Sequence, residues 1–322
     1  MNTSNMINEK DVAAIINKND DILLISHRRT DGDTCGSCGA LCLAIRKLGK
    51  RAFVLKNTET TYRNRILMEK FTADEDFEPQ LVISVDVADE KLLSPEAQMY
   101  ADRIDICIDH HASNSLYAKN TYLEPEAAAT GELIVKICDA LGAEIDAEMG
   151  QLIYIAISTD SGCFKYSSTT ANTLRAAARC YDSGANLAPI NKKYFDTKSI
   201  KRTKLEGYIY DNLKFFYNKQ MVIAVLTKKI ITDICATSDD MDGLSALPGQ
   251  IEGVKLALTL IENKNGGFRM SARSSDAVNC SDFCAKFGGG GHKNASGASF
   301  SGNDPGHIVS CLVQAGREFF DV

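Results

Sequence analysis

The chain has 322 residues, 44% of them apolar, which is enough for two domains with cores of their own. A formal net charge of −6 argues against a broad basic surface for gripping long duplexes, but leaves phosphorylated substrates open if metals and a few arginines hold them locally. The start, Met1-Asn2-Thr3-Ser4-Asn5, lacks a basic-then-apolar leader pattern, and no stretch reaches the roughly 18 unbroken apolar residues of a membrane span, so a cytoplasmic protein with no membrane partner is expected.

In chain order, residues 1–190 alternate strand-like and helix-like segments. Asp21–Ser26 reads as an apolar strand, and Ser37–Leu48, rich in Ala, Leu and Cys, as a helix stopped by Gly49. Arg51–Leu55, Leu81–Val85 and Ile104–Ile108 read as further strands. Thr130–Leu141 is a predicted helix ending before Gly142, and Glu148–Ser158 an apolar, helical stretch. This alternation predicts an α/β fold with a mainly parallel sheet and helices on both faces. Residues 188–217 read as a charged helical connector between a domain at 1–187 and a smaller α/β domain at 218–322. In that second block Met221–Leu226, Val254–Glu262 and Gly267–Arg273 are strand-like, with a hairpin turn signalled by the Asn-Gly pair at Asn265-Gly266, and Val278–Phe287 is helical.

Eleven cysteines, unevenly spaced and mostly inside apolar segments, fit a reducing compartment. Cys35-Gly36-Ser37-Cys38 has the spacing of a redox or zinc pair, but no second pair lies at zinc-finger distance. The favoured reading is a set of small residues packing a helix.

Only five histidines are present, and two stand together in Asp109-His110-His111, directly after a buried strand. A third, His27, opens the acid-rich run His27-Arg28-Arg29-Thr30-Asp31-Gly32-Asp33. In open α/β sheets ligands bind beyond the carboxyl ends of the strands. The first strand ends near His27, Asp31 and Asp33, the Leu81–Val85 strand at Asp86, and a fourth apolar segment at Ser158-Thr159-Asp160-Ser161-Gly162. Taken singly, each of these is an ordinary turn, cap or loop residue. Together they suit two divalent cations. Carboxylates and imidazoles without thiolates favour Mn2+, with Mg2+, Co2+, Fe2+ or Zn2+ as alternatives. His27, Asp31 and Asp86 are expected to hold one cation, and Asp33, Asp86, His110 and Asp160 the other, with Asp86 bridging and helping to activate the water. Neighbouring side chains of extended backbone point to opposite sides, so His110 is expected to ligate while His111 faces substrate and Asp109 orients a histidine ring.

The ordered motifs His27 to Ser37, Val85-Asp86, Asp109-His110-His111, Thr159 to Phe164 and Phe287-Gly288-Gly289-Gly290-Gly291-His292, with Ala295-Ser296-Gly297 after it, span nearly the whole chain. In them the chain resembles the DHH phosphoesterase superfamily, in its stand-alone nanoRNase/pAp-phosphatase type. Two positions depart from the family pattern: Thr30, where proline often sits, and Thr34, where alanine is common; neither removes a ligand.

The glycine run Gly288, Gly289, Gly290 and Gly291 can present backbone N–H groups to an anion, and Ser271 and Arg273 close the preceding strand-like run. The resemblance implies that this smaller domain binds the substrate's terminal phosphate and nucleotide through Ser271, Arg273, the glycines and His292. It further implies a hydrolase of phosphoric ester bonds that acts on short oligonucleotides, releasing mononucleotides, and on 3′-phosphoadenosine 5′-phosphate (pAp). Long-duplex binding is not expected, and a homodimer is left open. A phosphodiesterase for cyclic or linear dinucleotides has the same site chemistry, and a catalytically silent nucleotide sensor is the non-enzymatic alternative.

Overall fold

The structure, a computed structural model of the chain, describes residues 5–72, 77–275 and 277–320; residues 1–4, read above for a leader pattern, lie outside that set. Two compact units are formed, Met1–Thr197 and Lys198–Val322.

The N-terminal unit is built on one all-parallel sheet. Its strands are β1 (Asn5–Met6), β2 (Ile22–Ile25), β3 (Ala52–Val54), β4 (Leu81–Val85), β5 (Ile106–Asp109) and β6 (Asn120–Leu123), in the order β1-β6-β5-β4-β2-β3. Four of them fall where apolar runs predicted strands. The pairs β1 and β6 escape a hydrophobic reading because β1 has two residues and β6, Asn-Thr-Tyr-Leu, is half polar. The chain leaves β2 for β3 on one side and returns to β4 on the other, so the order reverses beside β2. All carboxyl ends of a parallel sheet lie at one edge, and the crevice at such a reversal is where α/β sheets hold ligands.

Both faces of this sheet are covered, which is why β2 and β4 are buried at every position and apolar at all but Ser84. Ile22 and Leu24 face a core shared with α1 (Glu9–Lys18), α2 (Gly32–Lys47), α4 (Thr130–Leu141), α5 (Ala147–Asp160) and α6 (Ala171–Asp182). That core also takes in Met68 at the end of α3 (Tyr62–Met68). Leu23 and Ile25 face a second core closed by Leu93, Ala97 and Ile104, which belong to or flank the 3-10 turn Pro95–Arg103. The unit ends in α7 (Ala188–Asn191) and a π-helical turn, Lys192–Asp196.

Two helix boundaries differ from expectation in a way that matters for the site. Helix α2 begins at Gly32, not Ser37, because Asp31 caps it by accepting the Thr34 N–H at 3.0 Å. Helix α5 runs through Asp160, so that carboxylate is carried by the last turn of a helix and not by a strand end. The two helices approach closely enough that a Cβ on Gly36 would stand 2.3 Å from the Leu152 carbonyl oxygen, and one on Gly32 would stand 2.3 Å from Thr159 Oγ1. Cys35 and Cys38 lie in this contact, fully buried, and burial pushes both thiols up, in accord with the packing role expected of them.

The C-terminal unit opens with α8 (Ile200–Asp211) and holds a mixed sheet of β7 (Lys214–Phe216), β8 (Met221–Leu226), β9 (Leu256–Glu262), β10 (Phe268–Ser274), β11 (Gly290–Gly291) and β12 (Ala295–Phe300), ordered β11-β12-β10-β9-β8-β7. Short helices α9 (Lys228–Asp233) and α10 (Ser238–Met241) follow β8. The β9–β10 hairpin turns at Asn263–Gly267, where the Asn263 N–H donates to the Gly267 carbonyl at 2.9 Å and Gly266 and Gly267 take φ of 92° and 74°. One core gathers Phe268, Phe283 and Leu312 beneath α11 (Cys280–Ala285) and α12 (Pro305–Gly316), and another holds Leu205 and Ile209 of α8 against Ala224 and Leu226. Among the described residues, no helix is long and apolar enough to cross a membrane.

The α2–α5 contact makes a direct prediction. Gly36→Ala forces a methyl group against backbone and is expected to destabilise the protein by about 1–3 kcal/mol, measured as a lower urea midpoint. Gly207→Ala, on α8 with open space around it, is expected to raise stability by up to about 1 kcal/mol.

Candidate metal centre

At the carboxyl edge of the N-terminal sheet, four segments bring their polar side chains together. Three overlapping groups result, in each of which one ligand atom per residue lies within 4.8 Å of the others: His27, Asp31 and Asp86; Asp33, His110 and Asp160; and Asp86, His110 and His111. All six residues predicted as metal ligands are among them.

Each is positioned by a local device. His27 follows β2, and its backbone bridges to Leu93. Asp31 is the cap of α2. Asp33, in the first turn of α2, is fully buried and accepts hydrogen bonds from Ser37 Oγ at 2.8 Å and from the backbone N–H groups of Thr130 and Gly131 at 2.7 and 3.0 Å. Helix α4 has Ala129 at its cap position and no side-chain cap of its own, so Asp33 serves as its cap from 97 residues away. Asp86 ends β4 with a left-handed φ of 62°, a conformation that Asp tolerates better than most side chains. Thr34 Oγ1 donates to its Oδ2 at 2.7 Å and Thr130 Oγ1 to its Oδ1 at 3.0 Å. The imidazole nitrogens of His27, His110 and His111 stand 3.8, 3.7 and 3.7 Å from it, which puts Asp86 at the centre of the constellation.

His110 Nδ1 contacts the Ala127 carbonyl at 3.0 Å, which fixes the ring as a second-sphere carbonyl fixes a metal-bound imidazole. Its Nε2 is buried and makes no hydrogen bond, although Asp160 Oδ2 is 3.2 Å away and Asp33 Oδ2 3.7 Å. A buried imidazole nitrogen without a hydrogen bond, facing two carboxylates, fits a cation. His111 Nδ1 lies 2.7 Å from Asp109 Oδ1, and Asn114 Nδ2 holds Asp109 Oδ2 at 2.6 Å. Asp109 thus contacts the ring of His111. The two histidine rings do not point to opposite sides as extended backbone would require. Strand β5 stops at Asp109, and beyond it the rings lie side by side with centroids 4.6 Å apart.

The electrostatics report an excess of buried carboxylate. Burial, then the Asp31 charge, lift Asp86 to about 6 despite three nearby imidazoles. Burial and the charges of Asp86 and Asp160 push Asp33 well above the usual carboxylate range. Desolvation by its neighbours opposes charge on Asp31 too, although its side chain is half-exposed, but His27 and the Thr34 bonds overcome it and hold Asp31 near 2. Burial also works against charge on His110, yet Asp160, Asp33 and Asp86 raise it to about 10. Asp109 raises His111. Protons on the histidines therefore balance charge that a divalent cation is suited to replace.

Sequence reasoning missed Thr130 and Gly131 as donors to this centre, Thr34 as a hydroxyl inside it, and Asn114 behind Asp109. The helix start at Thr130 was legible; that it lacks its own cap was the available signal. Arg28, next to His27, pairs with Glu59 at 3.1 Å.

In the C-terminal unit the expected substrate residues share one part of the sheet. Ser271 pairs with Gly297, which pairs with Gly290, and Arg273 pairs with Ala295. The glycine run is not an open loop of free donors, however. The Gly288 and Gly289 N–H groups donate to Ala285 and Cys284 carbonyls at the end of α11, and Gly290–Gly291 is an edge strand. His292 and Ala295 exchange hydrogen bonds, so the alternating ladder directs the Gly291 N–H away from β12. A Cβ on Gly291, whose φ is 146°, would meet the Ala295 carbonyl at 2.8 Å, so glycine is required there. His292 is exposed.

A parallel sheet whose carboxyl edge gathers acids and imidazoles is the architecture of a metal-dependent phosphoesterase, and comparison with known proteins agrees. Residues 21–157 match the DHH family, N-terminal domain, and residues 218–312 match the DHHA1 domain. The chain belongs to the DHH phosphoesterase superfamily. It is 27% identical over 299 residues to the bifunctional oligoribonuclease and PAP phosphatase NrnA of Thermus thermophilus, covering 92% of this chain and 89% of that protein. It is 26% identical over 295 residues to a probable bifunctional oligoribonuclease and PAP phosphatase NrnA of Streptococcus mutans, covering 90% and 93%. The crystal structure of an exopolyphosphatase-related protein from Bacteroides fragilis superposes with a TM-score of 0.85 at 25% identity, covering 97% of this chain and 96% of that one.

The protonated histidines predict how cations are taken up. For His110 Nε2 to ligate, the proton that holds it cationic up to about pH 10 must leave, so apparent Mn2+ affinity is expected to rise with pH, by about tenfold per pH unit for each proton released. Below about pH 6 protonation of Asp86 steepens the loss. Calorimetry in buffers of different ionisation enthalpy counts those protons, and uptake without proton release would contradict the assignment.

Proposed function

We propose that this protein is a two-metal phosphoesterase that hydrolyses short oligonucleotides to mononucleotides and removes the 3′-phosphate of pAp. The observation that carries the reading is the convergence of His27, Asp31, Asp33, His110 and Asp160 around one buried carboxylate, Asp86. In it, His27, Asp31 and Asp86 hold one divalent cation, and Asp33, Asp86, His110 and Asp160 the other. Oxygen and imidazole donors without thiolate favour Mn2+. Bound cations supply Lewis acidity toward the phosphoryl oxygens and the attacking water.

The protein's own groups do the rest. Thr34 and Thr130 fix the two oxygens of Asp86, so the shared carboxylate cannot rotate away from either side of the site. Asp109, itself held by Asn114, pins His111 by Nδ1 and raises its pKa, leaving the half-exposed ring to present a proton at Nε2 to a phosphoryl or leaving oxygen. In the C-terminal unit, Arg273, Ser271, the Gly291 N–H and His292 bind the terminal phosphate and the nucleotide, with Arg273 as the charged donor. The names of the curated relatives, oligoribonuclease and PAP phosphatase, support this substrate class. So does the net charge of −6, which gives no basic track for long polymer.

With Mn2+ present, product chromatography on a panel of pAp, pApA, longer oligonucleotides and cyclic di-AMP is expected to show fastest turnover on the short linear substrates and pAp. A preference for the cyclic dinucleotide would replace the reading with a signalling phosphodiesterase, and tight binding without turnover would make the protein a sensor. Asp86→Ala is expected to cut turnover by at least about a hundredfold with the fold retained, since even groups behind metal ligands cost 10–100-fold. Arg273→Ala is expected to raise KM for pAp by about tenfold or more with a smaller change in kcat, as loss of a charge-assisted bond of about 1.5–3 kcal/mol implies.

A further inference from the structure

We propose that Thr34 is a fourth protein donor to the cation held by His27, Asp31 and Asp86, an inference that rests on the metal-centre reading above. Thr34 is fully buried, and its Oγ1 lies 2.5 Å from His27 Nε2, 2.7 Å from Asp86 Oδ2 and 3.0 Å from Asp31 Oδ1. These three residues form one of the cation groups, and a single hydroxyl touches all three.

In the metal-free chain hydrogen bonds hold the hydroxyl there. Its one proton goes to Asp86 Oδ2, it can accept from a protonated His27 Nε2, and Asp31 Oδ1 takes the Thr34 N–H at 3.0 Å. A cation that displaces those protons would find the oxygen already placed among the three residues. Around a cation with metal–oxygen bonds of about 2.1 Å and octahedral geometry, adjacent donors stand about 3 Å apart. Thr34 Oγ1 keeps close to that spacing from each of the three. A side-chain hydroxyl is a suitable donor to a hard divalent cation, as the Ser/Thr of a P-loop is to Mg2+.

The backbone explains why the hydroxyl is there. Thr34 is the third residue of α2, and its N–H donates to Asp31 Oδ1 at 3.0 Å. The cap that starts the helix therefore fixes Thr34 and Asp31 on the same side of one turn. The other departure from the family pattern behaves differently: Thr30 Oγ1 bonds Thr60 Oγ1 at 3.1 Å and does not join the cluster. The two cation groups also contrast. His110 Nε2 has no hydrogen-bond partner, whereas His27 Nε2 meets Thr34. The Thr34 hydroxyl thus meets every member of the first group, whereas at the second the Thr130 hydroxyl bonds Asp86 Oδ1 at 3.0 Å.

The test is Mn2+ titration of the metal-stripped full chain, followed by calorimetry and by water-proton relaxation per bound Mn2+. It compares the parent protein with Thr34→Ser, Thr34→Ala and Thr34→Val, with the metal-free melting temperature recorded for each. The parent is expected to take up two cations. Thr34→Val should weaken one of the two by about tenfold or more and leave the other unchanged. Thr34→Ala should weaken the same site and raise water relaxation, because a coordination position opens to solvent. Thr34→Ser should behave as the parent. Should Thr34→Val not fold, the comparison of Ala with Ser decides alone. Two cations bound by the parent, with unchanged affinity and relaxation in the Ala and Val variants, would overturn the role of Thr34 and leave the metal centre standing. Failure of the parent to bind two cations would remove both.

Discussion

The buried carboxylate of Asp33 is the interaction on which the N-terminal unit turns. It accepts the first two N–H groups of α4, which starts from alanine and has no cap of its own, and it accepts the Ser37 hydroxyl one turn further along α2. A buried helix start without a partner leaves orphan donors, each costly in a dry interior. The positive end of the α4 dipole favours the anion, while burial and the neighbouring charges of Asp86 and Asp160 oppose it. One group is thus both the brace between two helices and a member of the cation cluster. The positions of α2 and α4 and the position of the site cannot be adjusted independently.

The same economy extends to the other polar residues. Thr130 gives its N–H to Asp33 and its hydroxyl to Asp86, and Thr34 touches members of the first cation group while its N–H completes the α2 cap. Glycines at positions 32, 36 and 131 remove the side chains that would otherwise hold α2 and α4 away from α5, and so allow Asp160, at the end of α5, to reach His110. The fold around the centre is tight because the centre needs carboxylates from different elements within a few ångströms. Their mutual repulsion is offset by protonated imidazoles in the metal-free state, and is offset by divalent charge in the proposed function.

Much of this was legible in the chain. Strands β2, β4 and β5 are predominantly apolar runs because both faces of a parallel sheet are covered, and such runs stand out. His27, Asp86 and Asp109-His110-His111 follow them directly, so the rule that ligands gather at carboxyl ends was enough to group them. What was not legible has particular causes. Strands β1 and β6 are too short or too polar for a hydrophobic signal. The early start of α2 was hidden because Asp31-Gly32-Asp33 looks like a turn until the Thr34 N–H is seen to close on Asp31. The paired orientation of His110 and His111 depends on where β5 stops. In the C-terminal unit, the glycine run reads as an open anion loop, but two of its four N–H groups serve α11, and only the ladder register indicates which of the others faces outward.

By itself the sequence determined the element types, the parallel character of the first sheet and the identity of the candidate ligand side chains, because hydrophobic period and donor chemistry are local properties. The tertiary structure alone decided which atoms of those side chains meet. It brought three imidazoles within 3.8 Å of Asp86, gave α4 a cap from Asp33, left His110 Nε2 without a hydrogen bond and placed the Thr34 hydroxyl among three side chains. Those outcomes depend on contacts between residues as many as 98 positions apart, set by helix packing over a sheet that no local pattern encodes.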